Sequence, residues 1–171
     1  MLALLKVTDE SFNSVYKKME DAFPYEERRC LIDQKKCLSD SRFEFYEIVD
    51  GSSKIGFVAI WNLSSFIFIE HIAIDKAQRG KGYGSKALDL LKLKYNKDII
   101  LEAEAPVTST QIKRIAFYEK AGFIINNYYY EQPSYHNEAP VPLKLLSYPS
   151  ALSEDEFLNF VNETKISAYA L

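Results

Sequence analysis

Residues 66–95, FIFIEHIAIDKAQRGKGYGSKALDLLKLKY, join an apolar β-rich run to an amphipathic helix through a basic turn holding three glycines. A second β-rich run, IILEAE at 99–104, follows. Strand, helix and strand in this order require a crossover connection, so strands 66–74 and 99–104 are expected as parallel neighbours. The turn itself carries chemistry. Gly80, Gly82 and Gly84 remove side chains where the helix begins, so backbone N–H groups and the positive end of the helix dipole can face an anion closely. Arg79, Lys81 and Lys86 add charge of the right sign, and the layout suits a pyrophosphate.

The rest of the chain reads as a mixed sheet with helices on both faces. Leu2 to Val7 is a first strand; Thr8 or Asp9 caps a helix with Phe12, Val15, Tyr16, Met19 and Phe23 at helical spacing, and Pro24 ends it. A second helix is predicted through Arg28, Leu31, Ile32 and Lys35. Phe43–Val49 and Ile55–Trp61 flank an Asp-Gly turn, a strong hairpin signal, and Phe66–Ile74 continues the meander. Gly84, Ala87, Leu88, Leu91 and Tyr95 share one face of the crossover helix. Thr108 and Gln111 form a capping box for a helix through Ile112, Ile115, Ala116 and Glu119 that stops at Gly122. Strands are expected at 123–130 and 141–148, with the polar stretch EQPSYHNEAP between them as a surface loop. Ser153 and Glu156 cap a terminal helix over 153–168.

At 171 residues, with 47% hydrophobic and 14% aromatic residues, the chain can close one sizeable core, so a single domain over 1–171 is expected. A net charge of −3 argues against wholesale nucleic-acid binding. The apolar stretch 55–69 is broken by Asn62, Ser64 and Ser65 and is too short for a membrane span. The N-terminus has no signal-like apolar core, which makes the cytoplasm the expected compartment. Cys30 and Cys37, placed seven apart in the second helix, lack redox or zinc spacing; with only His71 and His136 to join them, no metal site is expected.

Three glycine-loop chemistries compete for 79–84. A Walker A loop needs Lys and then Ser or Thr after its last glycine, whereas here Ser85 precedes Lys86. A dinucleotide fingerprint has its third small residue in Ser85 and its acid in Glu102, yet antiparallel strands precede it here. The third reading is a family resemblance. Gln78-Arg79-Gly80-Lys81-Gly82-Tyr83-Gly84 resembles the acyl-CoA-binding motif of the GCN5-related N-acetyltransferases, and Arg114-Ile115-Ala116-Phe117-Tyr118-Glu119-Lys120-Ala121-Gly122-Phe123 resembles that family's later helix-to-strand motif. The likeness spans residues 1–148 in element order and is most specific over 66–123.

That resemblance implies an α/β fold with a mixed, mostly antiparallel sheet, a parallel strand pair around the cofactor site, and acetyl-CoA as cosubstrate. Backbone groups of Ile72, Ala73 and Ile74 would pair with the pantetheine amides, and Arg79, Gly80, Lys81, Gly82, Tyr83, Gly84 and Ser85 would meet the diphosphate. Tyr118 matches the tyrosine that protonates the leaving thiolate. Glu70 is the first choice for the base, since IEHIAID resembles the matching strand of glucosamine-phosphate acetyltransferases; Glu102, Glu104 and water stay open. The reaction implied is direct acetyl transfer to a primary amine of a small molecule or peptide. Phe23 to Glu27, Tyr128, Tyr129, Tyr130, Tyr135 and His136 are the acceptor-facing candidates. A non-catalytic acyl-CoA-binding sensor is the alternative, and a homodimer is left open.

Overall fold

The computed structural model describes residues 1–136 and 138–170; Asn137, inside the expected loop 131–140, and Leu171, at the end of the expected domain, lie outside the described residues. Two compact units emerge, one of Met1–Asn62 with Ile69–Asn96, the other of Leu63–Phe68 with the chain from Lys97 onward.

The first unit holds β1 (Leu2–Lys6), α1 (Asp9–Ala22), α2 (Leu31–Cys37), β2 (Phe43–Asp50), β3 (Ser53–Asn62), most of β4 (Phe66–Ile74) and α3 (Tyr83–Lys94). Its strands lie in the order β1-β2-β3-β4. Thr8 starts α1 through a reciprocal box: its hydroxyl accepts from the Ser11 amide, and Ser11 Oγ accepts from the Thr8 amide at 2.9 Å. Phe12, Val15, Tyr16 and Met19 are buried, as their spacing predicts, with Phe12 edge-on to Phe45. The second helix is shorter than expected. Tyr25–Glu27 form a 3-10 turn, Arg28 is extended (φ −144, ψ 155), and Cys30 caps α2 from outside it. The cause is the pair of arginines, which turn inward to polar partners instead of lining a solvated helix face: Arg28 Nε donates to the Phe23 carbonyl at 3.2 Å and Arg28 Nη1 to the Tyr16 hydroxyl at 2.7 Å. Gly56 lets β3 approach β4, because a Cβ there would lie 2.2 Å from the Ala73 carbonyl oxygen.

The second unit holds the start of β4, then β5 (Asp98–Ala103), α4 (Ser109–Lys120), β6 (Ile124–Ile125), β7 (Tyr130–Gln132), β8 (Val141–Tyr148) and α5 (Glu154–Lys165). Strand order is β4-β5-β8-β6, with β7 pairing the far end of β8. The capping boxes at Thr108 and Ser153 both form, and Gly122 takes φ 88 after α4. The single strand expected at 123–130 is two short ones. Buried Asn126 interrupts it: its Nδ2 donates to Ser147 Oγ at 2.9 Å and its Oδ1 accepts from the Leu152 amide at 2.7 Å, so side-chain bonding displaces the regular ladder. Fully buried Phe160 of α5 gathers Phe66, Phe68 and Tyr130 around it. Among the described residues the sheet is thus mixed and mostly antiparallel, with β4 and β5 as its parallel pair and five α-helices, the expected α/β class.

Candidate active site

The glycine turn is built for backbone exposure. Gly80 and Gly82 both sit at φ 78, a left-handed value that glycine adopts without strain, while a Cβ at either would meet nothing within 4 Å. Conformation, not space, calls for glycine at both positions. Gly82 caps α3 with no side chain to occupy the first-turn N–H groups of Tyr83, Gly84 and Ser85. The side chains beside it are tethered. Arg79 Nε donates to the Ile74 carbonyl at 3.0 Å, Lys81 Nζ to Gln78 Oε1 at 2.8 Å, and the Tyr83 hydroxyl to Asp50 at 3.0 Å. Upstream, Ile72, Ala73 and Ile74 are half-buried at the end of β4, and the Asp75 amide closes onto the Ile55 carbonyl at 2.9 Å.

Glu70 lies on the same strand in a closed polar cluster. Its side chain is 0% exposed and that of Arg29 1%; Arg29 Nη2 meets Oε1 at 2.7 Å and Nη1 meets Oε2 at 2.9 Å, a bidentate pair. Trp61 Nε1 adds a third donor to Oε2 at 3.2 Å, and Gln34 Oε1 accepts from Arg29 at 3.4 Å. Such a carboxylate has its lone pairs engaged by fixed donors. Next to it, His71 Nε2 lies 2.7 Å from the Glu27 carbonyl. A carbonyl only accepts, so Nε2 carries the hydrogen. Burial lowers the His71 pKa despite the Glu70 charge, which favours the neutral ring. Phe23 packs edge-on against this ring at 4.7 Å between centroids. Arg29, Trp61 and Gln34 were missed by sequence reasoning. Arg29 sits in the run EERR, which reads as solvated charge, and no pattern separates it from its neighbours.

In the second unit Tyr118 lies on the buried face of α4 with Ile115, its ring near Phe117 and Phe123. Burial, opposed by the Arg114 charge, pushes its phenol up to about 12, so the hydroxyl keeps its proton at neutral pH. Glu102 of β5 is half-buried under a different set of donors. The Tyr130 hydroxyl donates to Oε1, the Tyr169 hydroxyl lies 2.8 Å from both oxygens, and Gln132 Nε2 reaches Oε2 at 3.2 Å. Burial and the adjacent carboxylate raise the Tyr130 pKa, keeping that phenol a donor. Glu104, two residues further on, is paired with Arg114 at 2.8 Å.

The three consecutive tyrosines part company. Tyr128 stacks on Phe157 at 4.4 Å and bonds the Leu152 carbonyl, Tyr129 is exposed with its hydroxyl on Glu131, and only Tyr130 turns inward to Glu102. Buried Tyr135 stands near this carboxylate too, its hydroxyl 3.4 Å from Gln132 Nε2. Among the described residues, no three His, Cys, Asp or Glu side chains gather as a metal site would need, and no helix is long and apolar enough to cross a membrane.

Fold and turn together define an α/β protein with a glycine turn, free of a side-chain cap, at the head of its crossover helix. Residues 12–123 match the Acetyltransferase (GNAT) family, and the chain belongs to it. It is 32% identical over 155 residues to the "Putative acetyltransferase YjbC" of Bacillus subtilis (strain 168), covering 87% of this chain and 78% of that one. A solved GNAT-family structure from Bacteroides thetaiotaomicron, also named as an acetyltransferase, is 26% identical, with TM-score 0.90 over 100% of this chain and 99% of that chain. A GNAT acetyltransferase from Elizabethkingia anophelis with acetyl-CoA bound shares the fold at 20% identity and TM-score 0.61, covering 85% of this chain and 96% of its own.

Proposed function

We propose that this acetyltransferase moves the acetyl group of acetyl-CoA directly to a primary amine of a small molecule or peptide. The observation that carries the reading is the turn at 79–85: two glycines at φ 78 precede a helix whose first N–H groups have no side-chain cap, a cradle suited to the diphosphate of coenzyme A. The related fold with acetyl-CoA bound supports this donor. The half-buried backbone of Ile72, Ala73 and Ile74 is the segment we assign to the pantetheine amides, since an extended ligand bearing amides can add to a strand.

In the reaction the amine nitrogen attacks the thioester carbonyl, the C–N bond forms, the C–S bond breaks, and the nitrogen gives up a proton. Tyr118 is the proton donor to the departing sulfur, a role its raised pKa permits across the neutral range. For the base we move from Glu70 to Glu102. Glu70 is clasped in two places by a buried guanidinium, whereas Glu102 is half-buried and held by phenols and an amide, donors that leave its charge less compensated. Glu70 then has a structural role, anchoring Arg29 and through it the segment before α2.

The test is release of coenzyme A thiol with a panel of polyamines, amino sugars and lysine-bearing peptides. One amine class should support turnover, and Tyr118→Phe should lower kcat by about 100-fold while acetyl-CoA binding persists. Tight acetyl-CoA binding with no turnover on any amine would make the chain a non-catalytic acyl-CoA sensor. Heat protection by NAD and not by coenzyme A would remove the donor assignment altogether.

A further inference from the structure

The segment after α5 folds back on the helix it leaves. Thr164 O accepts from the Ser167 amide at 3.2 Å and from the Tyr169 amide at 2.8 Å, Ser167 Oγ returns to the Glu163 carbonyl at 2.6 Å, and Ala168 is 1% exposed. The result is a hydrogen-bonded hook with a buried anchor. It carries the Tyr169 ring to 5.5 Å from that of Tyr135 and 6.3 Å from that of Phe68, with the hydroxyl on Glu102. Gln132 Nε2 bridges the arrangement, 3.2 Å from the Tyr169 oxygen and 3.2 Å from Glu102 Oε2. Tyr130, Gln132, Tyr135 and Tyr169 lie beyond residue 123, where the family match ends.

We infer that Tyr169 is a positioning residue: the hook at 166–170 completes the acid–base site by fixing the orientation of the Glu102 carboxylate and favouring its ionised form. The inference rests on Glu102 being the base. The physics is direct. A hydroxyl that can only donate to a carboxylate stabilises the anion, and one bridging both oxygens also restricts rotation of the group. The ionisable groups near Glu102 are Tyr130 from β7, Tyr135 from the loop after it and Tyr169 from the hook; Glu104, just past the end of β5, is paired with Arg114. Without the Tyr169 hydroxyl, Glu102 keeps Tyr130 and Gln132, so the change expected is a shift in titration and not loss of the fold.

The experiment uses the full chain, as Tyr169→Phe, Gln132→Leu and Glu102→Gln, with two readouts. In the ligand-free protein, infrared titration follows the protonated-carboxyl band that Glu102→Gln removes; in turnover, the acidic limb of kcat/KM is followed with the best amine. Tyr169→Phe should move both midpoints to higher pH by about half a unit or more, with KM for acetyl-CoA unchanged. Gln132→Leu, which leaves the hook phenol in place and removes a separate donor to Glu102, should move them the same way, and Tyr169→Leu serves if Tyr169→Phe folds poorly. Unmoved midpoints in Tyr169→Phe, alongside inactive Glu102→Gln, would overturn the hook's role and leave the base assignment standing, whatever Gln132→Leu does. Full activity in Glu102→Gln would overturn both.

Discussion

Glu70 and Glu102 are both acids on sheet strands that the protein takes largely out of water, and they are treated in opposite ways. Glu70, in the first unit, receives a whole guanidinium with matched geometry. Glu102, in the second, receives hydroxyls and an amide. Neutral donors orient a carboxylate without cancelling its charge, whereas a bidentate arginine does both. The first arrangement suits a fixed structural joint, and the second suits a group that must take and release a proton. The difference also shows why the partner of an acid on an apolar strand face must be known before a role is proposed for it.

The sharpest way to break the comparison is Arg29→Ala. It strands a buried carboxylate and should cost about 3–5 kcal/mol in urea denaturation, while Arg29→Met with Glu70→Leu should recover much of that. A loss below 1 kcal/mol would mean the pair is not the joint described. Next in size, Glu102→Gln should reduce turnover at least 100-fold, equivalent to about 2.7 kcal/mol of barrier, while leaving the urea midpoint close to that of the parent. Equal effects of the two carboxylates on stability would erase the distinction.

His71 sharpens it from the acid side. Burial holds its folded-state pKa below the ordinary 6.5, so as pH falls past about 6.5 the unfolded chain binds a proton that the folded chain resists. Stability is full above that value and declines below it, by less than about 1.4 kcal/mol per pH unit. In His71→Gln the slope between pH 6.5 and 5 should flatten; an unchanged slope would assign it elsewhere. The smallest effect concerns the thiols beside this cluster. Cys37 is buried and its thiol is pushed up to about 11 by burial, so a thiol reagent at pH 8 should modify half-buried Cys30 first, read by mass spectrometry of partly labelled protein.

Local chemistry was well legible. Hairpin, crossover, the Thr8 cap and the capping boxes at Thr108 and Ser153 follow from side chains acting on backbone a few residues away, and each appears where its residues place it. Legibility failed at Arg28 and Asn126, where a polar side chain bonds inward to distant groups and overrides the local pattern. The same limit governed the site. Periodicity put Glu70 on an apolar face correctly but was silent on Arg29, 41 residues earlier in the chain.

From residues alone came the glycine turn, the helix it heads and the tyrosine helix that follows, because turn geometry and helix initiation depend on neighbours in sequence. Tertiary structure decided which carboxylate is clasped by a cation and which by phenols. Tyr169 reaches Glu102 across 67 positions, and a contact at that separation is set by packing, which no local propensity encodes.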